Sequence, residues 1–412
     1  MPALAINRDR LWSDLMTLGC LGATPRGGSD RLSLTDADRD ARNLFVHWCA
    51  EAGLAVTIDA MGNVFGRREG ADPSLPPVLA GSHLDTQQPG GKFDGPLGVL
   101  AALAAVRAMN AAGIVTQRAV EVVNWTNEEG ARFAPGLMGS GVFAGKLDLA
   151  ATHATADRGG ATVGAELARI GYRGAAPCGG RAVDSYFELH IEQGPVLEAA
   201  GRVIGAVTGS HYMLYLGLEC LGENGHAQSL PQARRRNALY GASRLVAEIE
   251  AIGDAHAPAG TASAITMDVW PNNRINIAHR AVFAASVVHP AREGVEAMEA
   301  AILAAMARIA DETGLALSVV SRMRRDPIVF DAGLAEETLR LAAARGHSAM
   351  PALTRPGHDA FNLSAICPTA LIFVPCLDGV SHSELERASL EHCAAGAEIL
   401  LDHMLNRAGR AN

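Results

Sequence analysis

The 412-residue chain reads as an α/β protein: a mixed, largely parallel sheet with helices on both faces, interrupted by an inserted α+β module. Three observations predict this. Apolar runs of strand length alternate with helical stripes early in the chain, the order expected of a parallel sheet. The polar loops HLDTQQPGGKFDG and NEEGARF each follow such a run, and functional groups gather at the carboxyl ends of strands in these sheets. From Gly209 the pattern changes, and from about Arg325 it returns to loops rich in catalytic residue types.

Asp36 to Ala52 carries apolar residues at Ala41, Leu44, Phe45 and Trp48, a helical stripe that ends at Gly53. Pro77 to Leu84 (PVLAGSHL) is a short apolar run of buried-strand type. Gly98 to Met109 is an Ala/Leu/Val helix closed by Gly113, and Ala119 to Trp125 is again β-rich. Within the later module, Tyr212 to Leu221 and Ala281 to Val288 read as strands, and Asn237 to Ile252 and Gly294 to Leu315 as helices. The expected organisation is one domain from residues 1–208 and 325–412, with residues 209–324 inserted into it.

Hydrophobic residues at 49% and charged residues at 19% give an ordinary globular balance with enough apolar material for a core. A net charge of −9 argues against a phosphate backbone as partner. Arg234, Arg235 and Arg236 form the only tight basic run, too short for a nucleic-acid patch. The seven cysteines are odd in number and contain no CxxC pair, which argues against a disulfide framework and a zinc ribbon. Arg8, Asp9 and Arg10 interrupt the N-terminus before an apolar signal region forms. The longest apolar run, Val99 to Val106, is too short to span a bilayer. A cytoplasmic protein without nucleic-acid or membrane partners is expected.

Five segments carry the chemistry. His83 and Asp85 in GSHLDT stand where a carboxylate can orient a histidine ligand, or where a structural histidine ends a strand. Asp94 lies in a loop whose glycines 90, 91, 95 and 98 permit tight turns. That loop lacks the spacing of a phosphate cradle, so a carboxylate delivered near His83 better suits a metal. Glu128 and Glu129 repel each other unless something positive binds there; a solvated turn is the alternative. The functional reading splits them into a metal ligand and a base. His190 lies in the apolar run SYFELHI, where a neutral buried histidine is the alternative, and His382 lies in the loop DGVSHSE. Imidazoles and carboxylates together suit zinc, manganese, cobalt or nickel. His83, Asp94, Glu129, His190 and His382 are too many for one tetrahedral ion and fit two ions bridged by a carboxylate.

GSHLDTQQPGGKFDG, NWTNEEGARFAPGLMGSGVFAG, HIEQGPVLE, GHAQSLP and FVPCLDGVSHSE resemble, in this order and over nearly the whole chain, the M20 metallopeptidase superfamily. The closest resemblance is to its amidase branch of N-carbamoyl-L-amino-acid hydrolases, β-ureidopropionases and allantoate amidohydrolases. The resemblance implies a dinuclear-metal catalytic domain, an inserted dimerisation or lid domain, and hydrolysis of a small amide or ureido compound. It implies two divalent ions bridged by Asp94, with His83 and His190 completing one site and Glu129 and His382 the other. Glu128 would be the general base on a metal-bridging water, and Asp85 would support His83. Gln193, Asn276 and Gly357 match substrate-binding positions. In a homodimer, His226 would reach the partner's active site and stabilise the oxyanion, with Asn276 reaching it too.

One departure bears on the substrate. The family carries an arginine just before the His-Pro of a lid strand, where it clamps a substrate carboxylate; here FAASVVHP has Val288. Losing a charge-assisted hydrogen bond costs roughly 1.5–3 kcal/mol. Either another cation substitutes, with Arg274, Arg280 and Arg355 as candidates and Arg355 foremost, or the substrate lacks that carboxylate. The rival readings are an aminoacylase or dipeptidase, against which His190 counts, and a silent scaffold homologue, against which Glu128 and the intact ligand set count.

Overall fold

The computed structural model describes residues 4–411, so the first three residues of the N-terminal segment and the last residue lie outside it. The chain divides into two compact units, one reaching to Thr208 and resuming at Phe330, the other Gly209–Val329.

The first unit opens its sheet with β1 (Ala55–Ile58), β2 (Val64–Arg68), β3 (Val78–His83), β4 (Val120–Trp125), β5 (Ser185–Ile191) and β6 (Ile204–Ser210). The second unit contributes β7 (Tyr212–Leu221), β8 (Gly225–His226), β9 (Thr261–Trp270), β10 (Asn276–Ile277), β11 (Arg280–His289) and β12 (Ala316–Arg325). After it come β13 (Ala349–Thr354) and β14 (Thr369–Val374). The large sheet has the order β1-β2-β4-β3-β5-β14-β6-β13. Its middle is parallel, with β3 between β4 and β5 and β14 beside β5, while β1, β2 and β6 pair antiparallel. The sequence thus folds as the mixed, largely parallel α/β architecture it predicts.

β3, β4, β5 and β14 are buried along their whole length, which is why they read as continuous apolar runs rather than alternating ones. Helices Pro96–Ala111 and Leu390–Ala408 pack on β3 and β5. Their core takes Phe187, Leu189 and Ile191 from β5. The period of a strand then sends Tyr186, Glu188 and His190 to the opposite face. Helix Asp36–Glu51 begins one residue after Thr35, whose hydroxyl caps the Asp38 N–H. The helix Pro96–Ala111 starts earlier than its apolar stripe, with Pro96 in its first turn and Gly95 at φ 82° before it. A Cβ at 95 would stand 2.4–2.6 Å from the His83 ring, so any larger residue there would have to displace that ring.

The second unit is a four-stranded antiparallel sheet, β12-β7-β11-β9, with helices Ala238–His256 and Arg292–Thr313 against it. Its separate core gathers Leu214, Leu216 and Leu218 from β7 with Phe283, Ala285 and Val287 from β11. β8 and β10 form a small two-stranded ribbon. Among the described residues no helix is long and apolar enough to cross a membrane.

Candidate metal centre

The carboxyl ends of β3, β4, β5 and β14 deliver the loaded loops to one place. His83 closes β3, Glu128 and Glu129 follow β4, His190 sits near the end of β5, and His382 follows β14. Asp94 arrives on the glycine-rich loop after β3.

Asp94 stands at the centre, and its two oxygens face different partners. Oδ1 lies 3.1 Å from His190 Nε2 and 3.7 Å from His83 Nε2. Oδ2 lies 3.3 Å from His382 Nε2. His382 Nε2 is also 3.2 Å from Glu129 Oε2. His83, Asp94 and His190 bring their ligand atoms within 4.8 Å of one another, and so do Asp94, Glu129 and His382. These are two candidate metal-holding groups that share Asp94.

The imidazoles are aimed by their other nitrogens. His190 Nδ1 is 2.9 Å from the Ile191 carbonyl and His83 Nδ1 is 2.9 Å from the Asp85 carbonyl, which turns both Nε2 atoms inward. Asp85 therefore reaches His83 through its backbone, its carboxylate lying 3.8 Å away. That carboxylate instead accepts the N–H groups of Glu128 and Glu129, each at 3.3 Å, and so holds the paired glutamates in place.

Glu128 places Oε2 3.4 Å from His83 Nε2. Burial, then Asp359, Glu129, Asp85 and Asp94, hold its carboxyl well above the usual carboxylate range. Burial alone would raise Asp94 too, but His190 and His382 keep it well below that range. Burial opposes charge on His190 and His382, yet Asp94 pushes the first up to about 9, and Asp94 with Glu129 pushes the second up to about 11.

Gln193 enters the same space. Its Nε2 donates to Asp94 Oδ2 at 2.7 Å and lies 3.3 Å from His382 Nε2, while its Oε1 is buried without a hydrogen-bond partner. Asn127, Gln193 and His382 all hold positive φ, at 54°, 55° and 51°. Such backbone costs on the order of 1–3 kcal/mol per residue and clusters at functional sites.

Gly357 and Arg355 follow β13 in the same unit, both half-buried, and Arg355 lies close enough to Glu192 to favour its charged form against burial. The next residue, His358, sets its ring 4.5 Å from that of His190. His226 and Asn276 belong to the second unit, paired across β8 and β10 and exposed. Arg280 is paired with Glu219 at 2.7 Å and lies over Trp270, and Arg274 is exposed.

Several groups around the centre went unread in the sequence. Glu188 is fully buried and accepts from Ser82 Oγ at 2.7 Å and the Ala360 N–H at 2.8 Å. Asp359 accepts from Ser140, and Gln87 donates to Glu129 Oε2 at 2.8 Å. The signal for Glu188 was its position two residues before His190, on the same strand face.

Residues 79–406 match the family described as Peptidase family M20/M25/M40. The chain belongs to this M20 family. An N-carbamoyl-L-amino-acid amidohydrolase of Rhizobium meliloti is 41% identical over 403 residues, covering 98% of this chain and 97% of that protein. A ureidoglycolate hydrolase of Arabidopsis thaliana is 30% identical, covering 97% of this chain and 86% of that protein. The crystal structure of a hydantoinase/carbamoylase family amidase from Burkholderia vietnamiensis superposes with a TM-score of 0.92 at 45% identity, over 99% of both chains. Within the M20 family the chain thus stands among amidohydrolases, enzymes that act on C–N bonds of linear amides.

Proposed function

We propose that this protein hydrolyses the C–N bond of a small N-carbamoyl or ureido compound, an N-carbamoyl amino acid or an allantoate-like molecule, with two divalent metal ions. The observation that carries the reading is Asp94, shared between the groups His83/His190 and Glu129/His382 with Glu128 beside it. The residues present fit such a pair of ions. Asp85, Asp94, Glu128, Glu188, Asp359 and Glu386 are all buried, an excess of carboxyls that calls for bound positive charge. The Gln193 amide nitrogen, a donor, rests between Asp94 and His382.

Zinc, manganese, cobalt or nickel held there supplies Lewis acidity and lowers the pKa of water. Glu128, whose carboxyl holds a proton readily, takes one from the attacking water and returns it to the leaving nitrogen as the C–N bond breaks. A ureido substrate leaves a carbamate that decomposes to carbon dioxide and ammonia. Gln193, Asn276, Gly357 and Arg355 are the substrate contacts, and His226 donates to the oxyanion. His226 and Asn276 serve the partner's site in a homodimer built on the inserted unit. The apolar side chains exposed on the edge strand β9, Ile265, Met267 and Trp270, support pairing of two copies there.

The test is ammonia release from N-carbamoyl amino acids and allantoate by protein stripped with chelator and reloaded with each metal. Activity that ignores chelation, or appears on none of these compounds, overturns the reading. Val288 supports a second one. Its neighbour Val287 enters the core, so Val288 stands on the opposite face of β11, with no charge to offer a carboxylate. Comparing each N-carbamoyl acid with its uncharged amide decides between them: preference for the acid means another cation substitutes, and preference for the amide means a neutral substrate.

A further inference from the structure

Glu386 lies four residues beyond His382 and is 3% exposed. Its Oε1 accepts two backbone N–H groups, from Phe93 at 2.8 Å and from Asp94 at 3.2 Å. Its Oε2 is buried with no hydrogen-bond partner. Burying a carboxylate with one oxygen unsatisfied is costly, and a backbone loop needing two acceptors does not require it. The fit is also close: a Cβ at Gly91 would stand 1.9–2.1 Å from the Glu386 carboxyl atoms. The glycine at 91 is therefore what admits this side chain beneath the Asp94 loop.

We infer that Glu386 is the positioning residue that sets the Asp94 carboxylate between the two metal-holding groups. Oδ1 faces His83 and His190 while Oδ2 faces His382, so both alignments depend on one backbone orientation. Glu386 fixes that orientation at the Asp94 N–H, from the segment that also carries His382. It thereby joins two ligand segments that lie far apart in the chain. The inference rests on the reading that Asp94 is shared by two ions. Its consequence is specific: disturbing Glu386 weakens both metal sites together, whereas removing His190 or Glu129 first weakens the group to which each belongs.

The experiment is a competition titration of metal-free protein with zinc against a chromophoric chelator, with zinc content by mass spectrometry and a thermal melt of each metal-free variant. Glu386→Ala is expected to lose roughly ten- to a hundred-fold in affinity at both sites. Glu386→Gln keeps an oxygen acceptor on the same stem and is expected to stay near the wild type. Gly91→Ala presses on the carboxyl from the other side and is expected to follow Glu386→Ala. Two zinc ions bound at wild-type affinity by Glu386→Ala overturn the inference; should that variant not fold, the same result in Gly91→Ala overturns it. Asp94→Asn separates the two readings. If it loses zinc while Glu386→Ala does not, only the positioning role falls. If it titrates like the wild type, the shared-ligand reading falls and this inference with it.

Discussion

His226 and Asn276 are direct Cα partners across the ribbon of β8 and β10, so the two side chains proposed to reach a partner's substrate stand on neighbouring positions in the second unit. Both are exposed, and the His226 ring accepts the Gln228 N–H through Nδ1 at 3.2 Å. Neither supports the core of its own unit.

Removing them therefore separates catalysis from folding. His226→Ala is expected to lower kcat on the order of a hundred- to a thousand-fold, the size of a lost oxyanion donor. Its melting temperature should stay near that of the wild type, since surface changes cost within about 0.5 kcal/mol. Steady-state kinetics beside a melt check this, and a near-normal kcat removes His226 from the oxyanion role. Asn276→Ala is expected to raise KM more than it lowers kcat.

Glu128→Gln tests the division of labour within the paired glutamates. The amide keeps the shape and cannot take a proton, so turnover should fall by at least about a hundred-fold. Zinc content should persist, because the proposed ligand of the pair is Glu129, 3.2 Å from His382. Loss of metal together with activity would reassign Glu128 as a ligand.

The parts of this site that could be read from sequence share a physical cause. β3, β4, β5 and β14 are buried on both faces, so their segments are apolar without interruption and the polar loops after them stand out. The proposed ligands are residue types with few other reasons to gather. β9 and β12 are different: most of their side chains are exposed and their burial follows no clean alternation, so no period marks them as strands. Glu188, Asp359 and Glu386 escaped notice because their partners are backbone N–H groups and hydroxyls up to 293 residues away, a relation that only the fold creates. The same holds for Asp85, whose neighbour His83 pointed to a side-chain contact while its carboxylate is spent on the N–H groups of Glu128 and Glu129.

Gly95→Ala is expected to harm both stability and the site. Position 95 holds φ 82°, and a methyl group there would meet the His83 ring. An alanine at positive φ costs more than about 1 kcal/mol, and the displaced ring would misaim a metal ligand. A drop in melting temperature with weaker zinc binding is the expected pair of results. A variant that melts and titrates like the wild type would show that the loop relaxes and that His83 is not tightly held.

Arg42 braces the start of the loop that carries Glu128 and Glu129. Its guanidinium pairs with Asp38 at 2.9 Å, both side chains being fully buried, and donates to the Gly62 carbonyl at 2.7 Å and Thr126 Oγ1 at 3.3 Å. Thr126 opens the loop that carries Glu128 and Glu129. Arg42→Ala would leave the Asp38 carboxylate buried beside the Leu34 N–H, which it accepts at 2.7 Å, with the guanidinium charge gone. Breaking a buried pair from one side costs about 3–5 kcal/mol. Urea denaturation of the metal-free protein is expected to show a loss of that order, and Arg42→Lys should recover part of it by restoring charge without the forked geometry. A loss below about 1 kcal/mol in Arg42→Ala would mean that water reaches Asp38 and that the pair is not what holds this loop against the sheet.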